Sequence, residues 1–279
     1  MKRYDPDRME LSTRDVVARA IATEILEGRG TERGGVYLDV THLPAEEIET
    51  RLPVMLEQFL AFGVDIREEP MEVAPTAHHI MGGIRITPEC RTTIPGLYAC
   101  GEVTGGVHGA NRLGGNALAD TQVFGKRAGE FAGKSPERSG KIDEAWIEKE
   151  LQTLDDLFEG VMSPAEVSKD LKLTMWSQAG IFRSPPDLST ALMHIKRLTD
   201  RRLFAASTAN IPECYSVKNM CITASLIVKC ALHRPESRGA HLRRDVEVEG
   251  TTKDPAKSPF GHTYVSLKRE GIETRKVTT

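Results

Sequence analysis

Cysteines at metal-ligand spacing are missing from this 279-residue chain. Its five cysteines, Cys90, Cys100, Cys214, Cys221 and Cys230, form no CxxC and no Cys/His ligand pattern. That argues against zinc or an iron-sulfur cluster within the chain and predicts free thiols in a reducing compartment. Long apolar runs are missing too. The two most apolar stretches, "LPVMLEQFLAFGV" and "CITASLIVKCAL", are too short and too interrupted to span a bilayer, and "MKRYDPDRMELSTRD" contains no signal-peptide core. A cytoplasmic protein is expected, or one held at a membrane only through a partner. Nor is there a surplus of charge: 37 basic against 40 acidic residues leave a net charge of −3, which gives no nucleic-acid footprint. Any anionic ligand must therefore be held by local charge. Internal repeats and low-complexity segments are also lacking. What remains, 39% hydrophobic and 28% charged residues with a mean hydropathy of −0.33, describes a soluble globular chain long enough for one large domain or two smaller ones.

Along the chain, "STRDVVARAIATEILEGRG" predicts a helix. Ser12 stands three residues before Asp15 like a capping box, Val17, Ile21 and Ile25 share a stripe, and Gly28 and Gly30 stop it. Arg14 falls in the first turn, where a cation opposes the helix dipole. "GVYLDV" is strand-like. Pro44 then opens a helical stretch in which Pro53 marks either a kink or a second helix. "GGIRITPECRTTIPGLYACGE" alternates short β-type runs with turns and is expected to end in the strand "GLYAC". The next segment, "GEVTGGVHGANRLGGN", carries six glycines between Gly101 and Gly115, too many for a regular element, and "NALADTQVFGKRAGEFAG" follows as a helix capped by Asn116. After a linker-like "GKSPERSGK", four amphipathic segments between residues 142 and 230 suggest a helical bundle, and the last forty residues are polar with short strand-like runs.

Strand, glycine-rich loop and helix in that order let a ligand approach the backbone closely, and the helix start offers unpaired N–H groups to an anion or a polarised carbonyl. Glu102 stands where an acidic side chain can accept hydrogen bonds from a ribose, although acidic residues and glycine turns also occur at strand ends for structural reasons. The adjacent histidines of "TAHHIMGG", among only eight in the chain, have the same two readings: ordinary hydrogen bonding or ligand contact.

Taken together, "TAHHIMGG", "GLYACGE" and "HGANRLGGNAL" resemble the flavoprotein subunit of succinate dehydrogenase and fumarate reductase, a family that includes L-aspartate oxidase and archaeal thiol-dependent fumarate reductases. "TRDVVARAI", "RLPVMLEQF" and "SRGAHLRRD" extend the likeness over nearly the whole chain. The resemblance implies FAD as cofactor and a C4-dicarboxylate as substrate, with an L-aspartate oxidase type acting on an amino dicarboxylate, or a non-catalytic structural subunit of the same fold, as alternatives. Arg14 matches the family's proton-transferring arginine, and His78 and Arg112 match residues that hold substrate carboxylates. Glu102, after Gly101, matches the glutamate on the FAD ribose. His79 stands where relatives often carry a tyrosine near the flavin. Asn116 begins the helix on which Ala117 and Leu118 match positions whose backbone N–H groups meet the flavin pyrimidine. A guanidinium suits a dicarboxylate because its planar fork binds a carboxylate bidentately.

The family's opening strand, GxGxxG turn, covalent-attachment histidine and acidic proton relay are not found in this sequence. The resemblance thus implies the C-terminal half of the flavoprotein, of mixed α/β or α+β class. The expected parts are a capping-domain remnant (1–72), the C-terminal part of an FAD-binding domain (73–135), a helical bundle (138–236) and a C-terminal extension (237–279). An N-terminal flavoprotein half or a second copy is the expected partner, and a further one is an iron-sulfur subunit. The bundle and the basic "SRGAHLRRD" run are the expected docking surface.

Overall fold

The computed structural model describes residues 1–135 and 143–246, together with the backbone of residues 263–268 and 271–276. The chain divides into two compact units, Met1–His78 and His79–Thr279.

In the first unit, helix α1 spans Arg14–Leu26. Its start differs from the expected capping box. Thr13 is the N-cap and makes no side-chain cap bond, while the buried Ser12 hydroxyl is drawn instead to Asp5 Oδ2 and the Met9 carbonyl, both at 2.7 Å. The Met9 carbonyl belongs to a preceding 3₁₀ turn, Met9–Leu11. The helix ends as its glycine implies: Gly28 takes φ +76°, its N–H bonds Ile25 O and the Arg29 N–H bonds Glu24 O, a Schellman closure that satisfies the terminal carbonyls. Strand β1 (Val36–Leu38) pairs antiparallel with β2 (Met71–Val73), setting Val36 opposite Val73 and Leu38 opposite Met71. Between them run helices α2 (Ala45–Arg51) and α3 (Pro53–Ala61). Leu52 leaves the helical region at φ −125°, ψ 37°, so Pro53 starts a second helix rather than kinking one, and its missing N–H costs nothing at that position. Ile48, Leu56, Ile66 and Met71 close a small core.

The second unit begins with two short parallel strands, β3 (Ile84–Arg85) and β4 (Thr104–Gly105). The expected strand "GLYAC" is not formed. Tyr98 makes a single antiparallel bridge to Arg91, and the Ala99 N–H bonds Cys90 O. An extended segment becomes a strand only when a neighbour takes up its N–H and C=O groups, and among the described residues this one has no longer pairing. Helix α4 covers Asn116–Gly133. The linker-like "GKSPERSGK" lies mostly outside the described residues.

Four helices follow: α5 (Glu144–Asp155), α6 (Pro164–Ala179), α7 (Pro185–Thr199) and α8 (Ile211–His233). The last three pack on one another along heptad-like seams. On α6 the buried positions include Val167, Leu171 and Thr174; on α7 they are Leu188, Ala191, Ile195 and Leu198; on α8 they are Cys214, Val217, Cys221, Ala224, Val228 and Ala231. The apolar side chains among them belong to one hydrophobic core cluster. All five cysteines are free, and burial pushes the thiols of Cys214, Cys221 and Cys230 up. Between α6 and α7, strand β5 (Phe182–Arg183) runs parallel to β6 (Leu242–Arg243), which follows α8. The antiparallel pair β7 (Thr263–Lys268) and β8 (Gly271–Lys276) comes last.

Candidate functional site

The second glycine of the pair after the histidines, Gly83, has a steric cause, whereas Gly82 has open space around it. A Cβ on Gly83 would lie 2.2 Å from Val103 O, and one on Gly105 would lie 2.8 Å from Gly83 N. Only bare backbone allows β3 and β4 to lie this close. The approach brings His79 and Ile80 to Glu102, which stands in a 3₁₀ turn, Gly101–Val103, rather than at the end of a strand. Ile80 N donates to Glu102 Oε1 at 2.9 Å, and His79 Nδ1 is 3.5 Å from Glu102 Oε2. Half of the Glu102 side chain stays exposed, whereas that of His79 is only 5% exposed.

Two further residues join this group that sequence reasoning passed over. The His108 ring meets the His79 ring edge-on, centroids 5.2 Å apart, and His108 Nε2 donates to Asp120 Oδ2 at 3.2 Å. Asp120 is buried on the first turns of α4. The signal for it was present, because Asp120 shares a helical face with Phe124 and the buried Ala128, where an unpartnered carboxylate is costly. The chain Glu102, His79, His108, Asp120 thus links the first residues of the unit to the glycine-rich loop and the helix after it. Two atoms in it are buried with no hydrogen-bond partner among the described residues, His79 Nε2 and Asp120 Oδ1. With Nδ1 facing a carboxylate, the His79 proton belongs on Nδ1 and Nε2 is left as an acceptor.

The loop itself is open. A Cβ on Gly106, Gly109, Gly114 or Gly115 would meet nothing within 4 Å, and Gly115, at φ +83°, is the N-cap of α4 without a side-chain cap bond. Asn116 is therefore the first helical residue rather than the cap. Ala117 and Leu118 follow in the same first turn, and Leu118 and Leu113 are largely exposed. Arg112 is half-buried in the loop and donates from Nη1 to Leu113 O at 3.3 Å. The structure thus gathers His79, Gly101 and Glu102 in one cluster, and carries Arg112, Asn116, Ala117 and Leu118 on the adjoining loop and helix. Arg14 and His78 belong to the first unit, where both are exposed; Arg14 is the first residue of α1.

The basic run "SRGAHLRRD" is only partly solvated, with Arg244 exposed and the two residues before it turned inward. Leu242 and Arg243 are buried, and Arg243 donates to Asp245 at 2.8 and 2.9 Å and to Arg234 O at 2.9 Å. Helix-end carbonyls and a carboxylate stand in for water around the guanidinium, which is what makes its burial tolerable.

Comparison with known proteins gives this arrangement its context. Residues 2–118 match the model of an FAD binding domain, and residues 168–278 match that of the fumarate reductase flavoprotein C-terminus. The chain belongs to the succinate dehydrogenase/fumarate reductase flavoprotein family. Within the family it is similar to a subunit of the CoM/CoB fumarate reductase of Methanothermobacter marburgensis, 56% identical over 253 residues that make up 88% of this chain and 46% of the relative. It is 35% identical to the L-aspartate oxidase of Pseudomonas aeruginosa, over 88% of this chain and 45% of that protein. Among solved structures of the family, an E. coli quinol fumarate reductase chain superposes with a TM-score of 0.82 at 35% identity, covering 96% of this chain and 49% of that one. The chain therefore spans about half the length of the family members it matches. Its architecture is mixed α/β, a partial FAD-binding domain followed by a helical C-terminal domain. Among the described residues no helix is long and apolar enough to cross a membrane.

Proposed function

We propose that this chain forms part of an FAD-dependent oxidoreductase acting on a C4-dicarboxylate such as fumarate or succinate. The observation that carries the reading is the juxtaposition of the half-exposed Glu102 carboxylate, the buried acceptor His79 Nε2 and the open glycine loop leading to α4. These features fit FAD. A carboxylate pinned on one side by Ile80 N keeps lone pairs for ribose hydroxyls, with Gly101 giving the backbone its turn. The N-terminal turn of α4, from Asn116 through Ala117 and Leu118, offers backbone N–H groups and the positive end of the helix dipole to a polarised carbonyl. Bound FAD supplies the hydride chemistry. This chain's own residues bind and orient: Arg112 and His78 hold carboxylates, and Arg14 exchanges a proton with the substrate carbon that does not exchange hydride.

An N-terminal flavoprotein half, or a second copy of the chain, completes the site. The mostly exposed Leu113, Leu118 and Val123 provide apolar surface for such a neighbour to cover. An iron-sulfur subunit would carry electrons to or from it, in the cytoplasm or at a membrane face. The division into residues 1–72, 73–135, 138–236 and 237–279 belongs to the same proposal. An L-aspartate oxidase activity is the second reading, favoured by the Pseudomonas relative, and turnover of aspartate with oxygen separates the two.

The test is dicarboxylate affinity in the flavin-loaded protein. Arg112→Lys keeps the charge but loses the planar fork. Since a hydrogen bond to a charged group is worth roughly 1.5–3 kcal/mol, the dissociation constant of succinate is expected to rise roughly 10- to 100-fold. An unchanged constant would remove Arg112 from the substrate site.

A further inference from the structure

The "SRGAH" turn reaches from the helical bundle to the loop that carries Arg112. Arg238 and His241 close the turn by exchanging backbone bonds of 2.7 and 3.0 Å, and its tip holds Gly239 at φ +57°. That tip rests on Ala110, two residues before Arg112. The Ala240 N–H donates to Ala110 O at 3.3 Å, and a Cβ on Gly239 would fall 2.2 Å from Ala110 O, 2.5 Å from its carbonyl carbon and 2.8 Å from its Cβ. No side chain fits there unless one of the two backbones moves.

Behind the tip, the turn is fastened to two helix ends. Arg183 donates from Nε to Ala179 O and Gly180 O, at 3.1 and 3.0 Å, at the C-terminal end of α6, and from Nη1 to His241 Nδ1 at 2.9 Å. His241 Nε2 in turn donates to Arg234 O, at the C-terminal end of α8, at 3.2 Å, and Arg243 bonds the same carbonyl. Guanidinium groups at helix C-termini are favourably placed against the helix dipoles. Arg244 N donates to Arg183 O at 2.8 Å and Ser237 Oγ accepts from Arg243 N at 2.9 Å, so both sides of the turn are held. A stem fixed by many bonds thus presses a side-chain-free tip against Ala110.

We propose that residues Ser237 to Arg243 are a buttress through which the helical C-terminal domain sets the backbone at Ala110 and so the aim of Arg112 at a substrate carboxylate. Gly239 is then a positioning residue, required for what it lacks. The inference rests on the reading of Arg112 as a carboxylate-binding residue, and its test separates the two.

In the flavin-loaded full chain, Gly239→Ala and Gly239→Asn are compared with Gly34→Ala. Asparagine tolerates a positive φ, while Gly34 has φ +80° but open space around its Cβ, so it isolates the backbone strain. Amide exchange of residues 106–115 is expected to quicken at least tenfold in both Gly239 variants and not in Gly34→Ala, with exchange in α6, α7 and α8 unchanged. The dissociation constant of malonate, followed through the flavin absorption, is expected to rise at least tenfold with them. A measurement on the unaltered protein covers the case in which neither variant folds: malonate should slow exchange at Ala240 as well as at residues 110–113. Loop exchange unmoved in a folded Gly239 variant, or malonate protection of the loop without any at Ala240, would overturn the buttress. Absence of malonate binding in the unaltered protein would instead sink the dicarboxylate reading, and the loop exchange of the variants would still decide the buttress.

Discussion

Arg14→Ala in the flavin-loaded protein is expected to lower fumarate reduction by roughly 10²- to 10⁴-fold, the range a positioned proton donor contributes. The structure gives this residue an unusual place. It is the first residue of α1, exposed, at the end of the helix where the dipole disfavours a cation. The nearest acidic neighbour in sequence does not offset this, because Asp15 is engaged by Arg19 one turn on at 3.3 Å. A stabilising role would favour an acidic or neutral side chain at that position, so alanine should leave the melting temperature nearly unchanged while turnover collapses. Dicarboxylate affinity should change far less than kcat, since Arg112 and His78 are the proposed carboxylate ligands. Steady-state rates with the melting temperature measured alongside check it. An Arg14→Ala protein that reduces fumarate at the parent rate would remove the proton-transfer role.

Acid is expected to loosen the C-terminal region through His241. Burial, and then the nearby Arg183, Arg243 and Arg234 guanidinium groups, lower its pKa from 6.5 to about 4, against a smaller opposing contribution from its bond to Arg234 O. The geometry agrees: Nδ1 accepts from Arg183 and Nε2 donates to a carbonyl, which the neutral ring alone can do. The unfolded chain takes up the proton as pH falls through about 6.5 and the folded one only near 4, so the unfolded state binds more protons throughout that window. Stability is therefore fully present above the unfolded value, declines as pH falls, and has lost its whole contribution below the folded one. At about 1.4 kcal/mol per unit, discounted for the ring's remaining exposure, the loss is roughly 2–3 kcal/mol. Denaturant titrations at pH 7 and pH 4.5 should show it. His241→Gln, which cannot take up the proton, should be less stable at neutral pH but should lose less on acidification. A parallel pH dependence in the two proteins would mean that His241 is not the group responsible.

Much of the helical C-terminal domain was legible because it depends on local periodicity. The run Cys214, Val217, Cys221, Ala224, Val228, Ala231 announces one face of a helix whatever packs on it. The glycine-rich loop and α4 were legible for a similar reason, since six glycines exclude a regular element and "NALAD" begins one. What stayed hidden depends on distant partners. Ser12 has the chemistry of a cap, but the helix starts one residue later with Thr13 as N-cap, and the Ser12 hydroxyl bonds Asp5 and the Met9 carbonyl instead. "GLYAC" has the composition of a strand without a neighbour among the described residues to complete it. His108 and Asp120 lie twelve residues apart and meet only because loop and helix fold back. "SRGAHLRRD" resembled a solvated charge run because nothing local says that its polar groups will be met by the carbonyl at the end of α8 and by Arg183 in β5.

The measurement that bears most directly on the whole account is a visible absorption spectrum of the chain isolated from its source with its native partners, recorded before and after adding succinate. A flavin spectrum that shifts saturably with succinate is the expected result, because Glu102 and α4 are assigned to the cofactor and Arg112 to the dicarboxylate beside it. A protein without flavin absorption, or one whose flavin ignores succinate and fumarate alike, would contradict it.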